Sequence, residues 1–239
     1  MKLIQTVLLL FVSIFILSGC ATKTAFNYQA GPKVLDDTVK TKPFVVAVLP
    51  FKDLRKDGNT NYSLVSWIPL VPYGNLNYNK PEAANGFISS GSYNFRVSED
   101  LAQAVVAELQ LNGLFKEVFY TQREKEPNVD LYLTGEIINT AYHGKIFSYG
   151  VSIYGAYIWL LGPPSGSVQN NLELNLIIKQ ASNGEEVWRY KVKGEWSKIV
   201  GLYYNFGEDF NGYPIILKDG LNKAIVDLAK DVSLKSINI

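Results

Sequence analysis

One pair of alternating segments constrains the fold of this chain more than any other feature of its sequence. Apolar and mostly polar residues alternate over residues 172–181 and again over residues 187–198. The second segment places its large apolar residues on one face: Trp188, Tyr190, Val192 and Trp196. Such alternation is typical of a strand with one buried face, and the intervening Asn183-Gly184 is preferred in two-residue hairpin loops. The sequence therefore predicts a half-buried β-hairpin.

The remaining patterns predict a single domain over residues 44–232. A continuous apolar run at residues 44–51 is typical of a buried central strand. Apolar residues at helical spacing predict one helix that ends before Gly113, which suits a left-handed C-cap, and another that starts at Pro214. We predict an α/β (α+β) fold: a single mixed β-sheet of about five strands, packed by two main helices, with long aromatic loop insertions. The predicted strands are 44–51, 115–121, 129–145, 172–181 and 187–198, and the predicted helices are 98–112 and 214–231.

The first twenty residues have the organisation of a bacterial export signal. Lys2 precedes an apolar segment at residues 3–17, and the small residues Ser18 and Gly19 lead to Cys20, the single cysteine of the sequence. The ending Leu-Ser-Gly-Cys resembles the bacterial lipobox. This resemblance implies a signal peptide over residues 1–19, a diacylglycerol on the Cys20 sulfur and acylation of the new amino terminus. The alternative is an ordinary signal peptide with a chance cysteine.

A lipid on Cys20 would anchor the chain to a membrane and leave the rest in the periplasm. Residues 20–43 lack periodicity, so we predict a flexible tether there, and a frayed end at residues 233–239. Alanine at position 21, where the enterobacterial sorting scheme would use aspartate for inner-membrane retention, favours the outer membrane. Removing Lys2 from 23 basic and 22 acidic residues leaves 22 against 22, and no basic cluster is present. We therefore expect no nucleic-acid partner.

A short motif near the first strand resembles a group of envelope proteins. The sequence Val-Ala-Val-Leu-Pro-Phe-Lys-Asp at residues 46–53 is similar to the first strand of the curli-secretion-lipoprotein and TolB amino-terminal type of α/β domain. In that type a helix follows the strand and leads into a second strand, a layout that residues 98–115 match loosely. The resemblance covers about half of the chain. It implies membership of a family of uncharacterised envelope lipoproteins.

Three segments rich in aromatic residues interrupt the predicted elements, at residues 62–95, 147–168 and 201–213. Pro69 and Pro72 break the first, which excludes a regular helix or a central strand for residues 64–74. We expect the three insertions to cluster at one end of the sheet, with mutual contact among Trp67, Tyr73, Tyr154, Trp159, Tyr203, Tyr204 and Phe206. These residues would form either a second small core or a docking surface for an envelope protein partner. A third option is contact with the membrane face, where Tyr and Trp are favoured.

The polar residues give little support to catalysis. His143 is the only histidine, which excludes a multi-histidine metal site, and no Gly-x-Ser-x-Gly motif accompanies it. We predict no catalytic residues, no metal and no cofactor besides the covalent lipid. Glu208 and Asp209 are paired carboxylates that could bind a cation or act as acid and base, but we favour the simpler explanation of a solvated loop end.

The predicted function is therefore a non-enzymatic binding or scaffolding role in the envelope, as an accessory to a secretion or transport assembly. The alternative is a small-ligand-binding protein or a hydrolase that uses a pocket between the aromatic loops, with Glu208 and Asp209 in it.

Overall fold

The computed structural model describes residues 24–83 and 93–231. The predicted signal peptide, Cys20 and the predicted frayed end at residues 233–239 lie outside these ranges. The strands are β1 (Thr24–Ala25), β2 (Lys42–Val48), β3 (Lys52–Asp53), β4 (Thr60–Tyr62), β5 (Tyr73–Tyr78), β6 (Tyr93–Asn94), β7 (Phe115–Tyr120), β8 (Leu131–Asn139), β9 (Tyr142–Phe147), β10 (Gly166–Gln180) and β11 (Glu186–Val200). The α-helices are α1 (Val97–Asn112), α2 (Gly155–Trp159) and α3 (Gly212–Lys230), and short 3-10 helices lie at Ser63–Trp67, Pro81–Ala83 and Ser152–Tyr154.

The sheet is organised around the long strand β10. One side of β10 pairs along its whole length with β11, antiparallel. The other side pairs first with β9 and then with β8, so β8 and β9 act as two halves of one bent strand. Next to β8 lie β2 and β3, both parallel to it, and β7 pairs with β2. Next to β9 lie β5 and then β4, both pairings antiparallel.

The predicted α/β class with a single mixed main sheet is confirmed, although the sheet has nine strands instead of about five. The hairpin of β10 and β11 is confirmed too. The connection between the two strands is longer than the two residues predicted. The Gln180 amide donates a hydrogen bond to the Glu185 carbonyl, and of the residues between them only Gly184 has a positive φ. The proline-broken insertion also contributes a strand that the sequence did not indicate, β5, which begins directly after Pro72.

Both long helices cover the same face of the sheet. Helix α1 buries Leu101 and Val105, and it ends at Gly113 with a φ of 64°. Helix α3 packs on β10 and β11, where a Cβ at Gly220 would overlap the side chain of Val192. This close approach requires glycine in the helix. The opposite face of the sheet has no helix packed on it among the described residues.

The segment before β2 is packed on the domain, so the predicted tether over residues 20–43 is wrong from Thr24 onward. Phe26 stacks on Phe95 with a centroid distance of 4.9 Å. The Tyr28 hydroxyl and the Gly31 amide both donate to Glu108 Oε1, at 2.6 and 2.8 Å. The polar sequence of the segment did not indicate this packing, because its hydrogen bonds are made to residues about eighty positions away.

Replacing Glu108 should release this segment. The Glu108→Ala variant removes a buried acceptor and leaves the Tyr28 hydroxyl and the Gly31 amide without it, at about 1–3 kcal/mol for each buried unsatisfied group. We expect a lower free energy of unfolding in urea and faster hydrogen exchange at the Gly31 amide. Glu108→Gln keeps an acceptor and should lose less. Unchanged exchange at Gly31 in Glu108→Ala would contradict the assignment.

A buried ion-pair network holds the junction between β8 and β9. The Arg55 side chain is 2% exposed and donates to both Asp53 oxygens and both Glu82 oxygens, over 2.6–3.1 Å. It also donates to Thr140 Oγ1 at 2.6 Å. The network therefore connects β3 and the 3-10 turn at residue 82 to the bend between β8 and β9.

This network makes stability depend on pH. The hydrogen bond from Arg55 lowers the pKa of the Asp53 carboxyl below its ordinary value. A lowered folded-state pKa stabilises the fold above the unfolded pKa, which is about 4. That stabilisation disappears as the pH falls through the folded pKa. We expect wild type to exceed Asp53→Asn in unfolding free energy at neutral pH, and the difference to shrink in acid. Parallel curves in urea titrations across this range would contradict the role of Asp53.

Candidate functional site

The three aromatic insertions meet at one end of the sheet, as the sequence predicts. We call this region the loop end and define it as residues 63–73, 148–165 and 201–207. The first two segments are joined by hydrogen bonds from the Ser148 amide to the Pro72 carbonyl (2.9 Å) and from the Leu70 amide to the Gly150 carbonyl (2.8 Å). The third joins them through the Tyr203 hydroxyl, which donates to the Leu160 carbonyl at 2.9 Å.

The loop end is a surface and not a second core. Six of the seven residues predicted to cluster are exposed: Trp67, Tyr73, Tyr154, Tyr203, Tyr204 and Phe206. Trp159 is half-buried. The most exposed apolar side chains are ones that the sequence analysis did not single out, Leu70 at 89% and Leu161 at 84%. Exposed apolar surface of this extent, concentrated in one region, is typical of interaction sites, which makes the loop end the candidate site.

The aromatic side chains are positioned largely by the backbone. Trp159 Nε1 donates to the Phe147 carbonyl at 2.8 Å, and the Tyr149 hydroxyl donates to the Pro164 carbonyl at 2.7 Å. The ring pairs seen here are Phe147 with Tyr149 and Tyr154 with Tyr157, at centroid distances of 6.1 and 6.4 Å. Of the seven residues expected to touch one another, Trp159 thus contacts a carbonyl group and Tyr154 contacts the ring of Tyr157.

Unusual backbone conformations concentrate at the loop end. Four of the five non-glycine residues with positive φ in the described ranges lie there: Leu70, Tyr149, Ser152 and Asn205. Leu70 has a φ of 69°, which costs a bulky residue roughly 1–2 kcal/mol. The hydrogen bond from the Leu70 amide to the Gly150 carbonyl holds this conformation, in which the leucine side chain extends into the solvent. Strain of this kind is often found at functional sites.

The sequence around the loop end carries no charge. No Asp, Glu, Lys or Arg occurs in residues 58–79, 146–172 or 199–207. Charges appear only at its border, where Lys145 lies 5.0 Å from the ring centroid of Tyr73 and Lys198 pairs with Glu208. These uncharged runs are a sequence signal that could have indicated the exposed surface. In the described ranges, no helix has the length and hydropathy needed to cross a membrane.

A polar groove runs beside the loop end on the sheet face opposite the helices. Its volume is about 330 Å³, and its lining includes Asn75, Asn77, His143, Lys145, Gln169 and Ser197. His143 Nδ1 lies 2.8 Å from Asn77 Oδ1. The groove follows strands β5, β9, β10 and β11, and the pocket between the aromatic loops stays a prediction. Among the described residues, no three acidic, histidine or cysteine side chains gather as metal ligands.

Glu208 and Asp209 do not act as a pair. Asp209 is buried and accepts a hydrogen bond from the Tyr142 hydroxyl at 3.4 Å, while Glu208 forms an ion pair with Lys198 at the surface. Burial, followed by the nearby Asp209 carboxyl, raises the pKa of Tyr142. Asp209 therefore belongs to the interior next to Tyr142, which does not support the acid–base hypothesis.

Comparisons with known proteins give the following results. The chain matches no protein-family model and no curated protein by sequence. Protein XCC0632 from Xanthomonas campestris, of family DUF330, is 12% identical over 90% of this chain and 97% of its own, with a TM-score of 0.45. PelC from Paraburkholderia phytofirmans is 11% identical over 84% and 93%, with a TM-score of 0.39. A homologue of a neuraminyllactose-binding hemagglutinin from Helicobacter pylori is 9% identical over 88% and 93%, with a TM-score of 0.36.

At this level of similarity the comparisons assign neither a family nor a function to the chain. The resemblance to the curli-secretion-lipoprotein and TolB type, and the lipobox, stay predictions.

Charge at the two most exposed leucines should abolish the apolar character of the loop end without unfolding the protein. The double variant Leu70→Asp/Leu161→Asp changes side chains outside the core, so we expect stability to change by less than about 0.5 kcal/mol per site. Aspartate also tolerates the left-handed conformation of residue 70. Binding of the dye ANS to the folded protein should fall several-fold. Leu111→Asp, at an exposed apolar site on α1, is the matched control and should bind ANS as wild type does.

Proposed function

We propose that this protein is a lipid-anchored bacterial envelope protein that acts by binding and not by catalysis. Its anchor is the acylated Cys20, its domain faces the periplasm, and its membrane is the outer membrane. The observation that carries the binding role is the loop end: an exposed, uncharged, apolar surface that no described element covers. An envelope component bound there would let the protein serve as a scaffold or accessory in a secretion or transport assembly.

The surroundings of the buried polar groups support a non-enzymatic role. At the bend between β8 and β9, Arg55 forms ion pairs with both Asp53 and Glu82. Asp209 contacts Tyr142, and Glu108 binds the segment before β2. Each of these groups has a structural partner and a structural task. None of these contacts resembles a nucleophile held by a base.

The polar groove favours one alternative, the binding of a small hydrophilic ligand. Amide, hydroxyl, imidazole and ammonium groups converge there, at Asn77, Ser197, His143 and Lys145. Such groups suit neutral or anionic polar ligands such as sugars. Titration of the protein with sugars while the His143 imidazole signal is observed by NMR separates this alternative from the binding role of the loop end.

The proposal is tested on the protein in its own envelope, with two readouts. Mass spectrometry of the mature amino terminus should find Cys20 with diacylglycerol and an acylated amine, and Cys20→Ser should lose both. A photo-crosslinking residue in place of Leu161 should form adducts with envelope components, whereas the same residue in place of the exposed Asn183, in the β10–β11 turn, should form none. An unmodified amino terminus would disprove the anchor. Equal adducts at the two positions would disprove a binding surface at the loop end.

A further inference from the structure

We propose that the loop end inserts into the surface of the same lipid bilayer that holds the anchor. This inference rests on the proposed function, since it takes Cys20 as the attachment point. It names the partner of the loop end as lipid, with Leu70 and Leu161 among the acyl chains and the tyrosine and tryptophan rings at the level of the headgroups.

The first described residue packs near the start of the strand that leads to the loop end. Thr24 pairs with Tyr93, and the Tyr93 ring stacks on Phe210 with a centroid distance of 4.2 Å. The Phe210 ring lies 5.2 Å from that of Tyr142, the first residue of β9. Strand β9 then runs to Phe147, where the loop end starts. Five residues of strand span roughly 17 Å, and the contacts from Thr24 through Tyr93 and Phe210 add to this separation, so Thr24 lies level with the start of β9 and the loop end with its far end.

The direction of the chain from Thr24 is away from the loop end. Strand β1 is parallel to β6, which leads into the start of α1. The segment then contacts Glu108 through Tyr28 and ends against Asn112, which accepts from the Val34 amide at 2.8 Å. These two acceptors belong to the last turns of α1, the end farther from β9. Thr24 is therefore the part of this segment nearest to the loop end.

The length of chain before Thr24 keeps the domain close to the bilayer. Only residues 21–23 separate Cys20 from Thr24. Four peptide units reach at most about 14 Å when fully extended. Because Thr24 lies packed against the domain, the anchor cannot act through the long tether that the sequence predicts. A bilayer that holds this lipid therefore lies close to the half of the domain that carries the loop end.

The chemistry of the loop end matches the boundary of a bilayer. Aliphatic side chains can enter hydrocarbon, and Tyr and Trp are favoured at the level of the headgroups. The uncharged runs mean that insertion desolvates no ionised side chain, which would cost several kcal/mol. Lys145 is exposed at the border, in β9, and carries a charge complementary to lipid phosphate. The lipid anchor raises the local concentration of bilayer, so even weak insertion would fix the orientation of the domain.

The test measures the depth of a single label on the full-length lipidated protein. Because Cys20 is acylated and is the only cysteine, a new cysteine accepts a thiol-reactive NBD fluorophore alone. Leu161→Cys carries the label at the loop end, and Asn183→Cys carries it in the exposed β10–β11 turn as control. The proteins are reconstituted into phosphatidylethanolamine–phosphatidylglycerol vesicles that contain doxyl-labelled phospholipid. The mass of each amino terminus is measured on the same samples.

We expect the label at position 161 to shift to shorter emission wavelength and to be quenched several-fold more by doxyl lipid than the label at position 183. Adding Leu70→Asp to Leu161→Cys should reduce this quenching. A water-like label at position 161 on an acylated, vesicle-bound protein would overturn the insertion while leaving the anchor intact. A label shielded from water but not quenched by doxyl lipid would indicate contact with a second copy of the chain, and would overturn the lipid assignment. An unacylated amino terminus would instead disprove the proposed function itself.

Discussion

The bend between β8 and β9 is the feature on which the rest of the structure depends. Thr140, at this bend, is fully buried, and three polar contacts hold it: its hydroxyl accepts from Arg55 and donates to the Asn79 carbonyl, and its carbonyl accepts from Tyr213 at 2.9 Å. Before the bend, β8 has parallel neighbours that are covered by α1. After the bend, β9 has antiparallel neighbours that lead to the loop end. The contacts at Thr140 thus join the part of the sheet with parallel pairing to the part with antiparallel pairing.

This arrangement explains how a small domain can present an apolar surface and still fold. The loop end is supported by strands that are continuous with the core, β9 and β10, so its exposed side chains are not needed for folding. Hydrogen bonds between its segments satisfy backbone groups that would otherwise require water. The energetic cost of left-handed residues such as Leu70 is offset by the core below them. Residues on this surface can therefore change without loss of the fold.

The packed segment before β2 links the domain to the membrane in the proposed arrangement. A flexible tether would let the domain sample many orientations, whereas a packed one holds Cys20 within a few residues of the domain. Two weak contacts with the same bilayer, the lipid and the loop end, then reinforce each other through effective concentration. The polar groove on the uncovered sheet face lies beside this border and would be held close to the membrane surface.

Local patterns in the sequence determined the elements with strong periodicity. The alternation around Asn183-Gly184 predicted the hairpin, and the apolar spacing with Gly113 and Pro214 predicted the two long helices, because these signals depend only on neighbouring residues. The uncharged aromatic insertions indicated that a surface or a second core would form at one end of the sheet. Only the tertiary structure decided between them, because exposure depends on which elements pack nearby. It also decided that residues 73–78 form a strand and that the segment after Thr24 is packed, since both rest on hydrogen bonds to partners far away in the sequence.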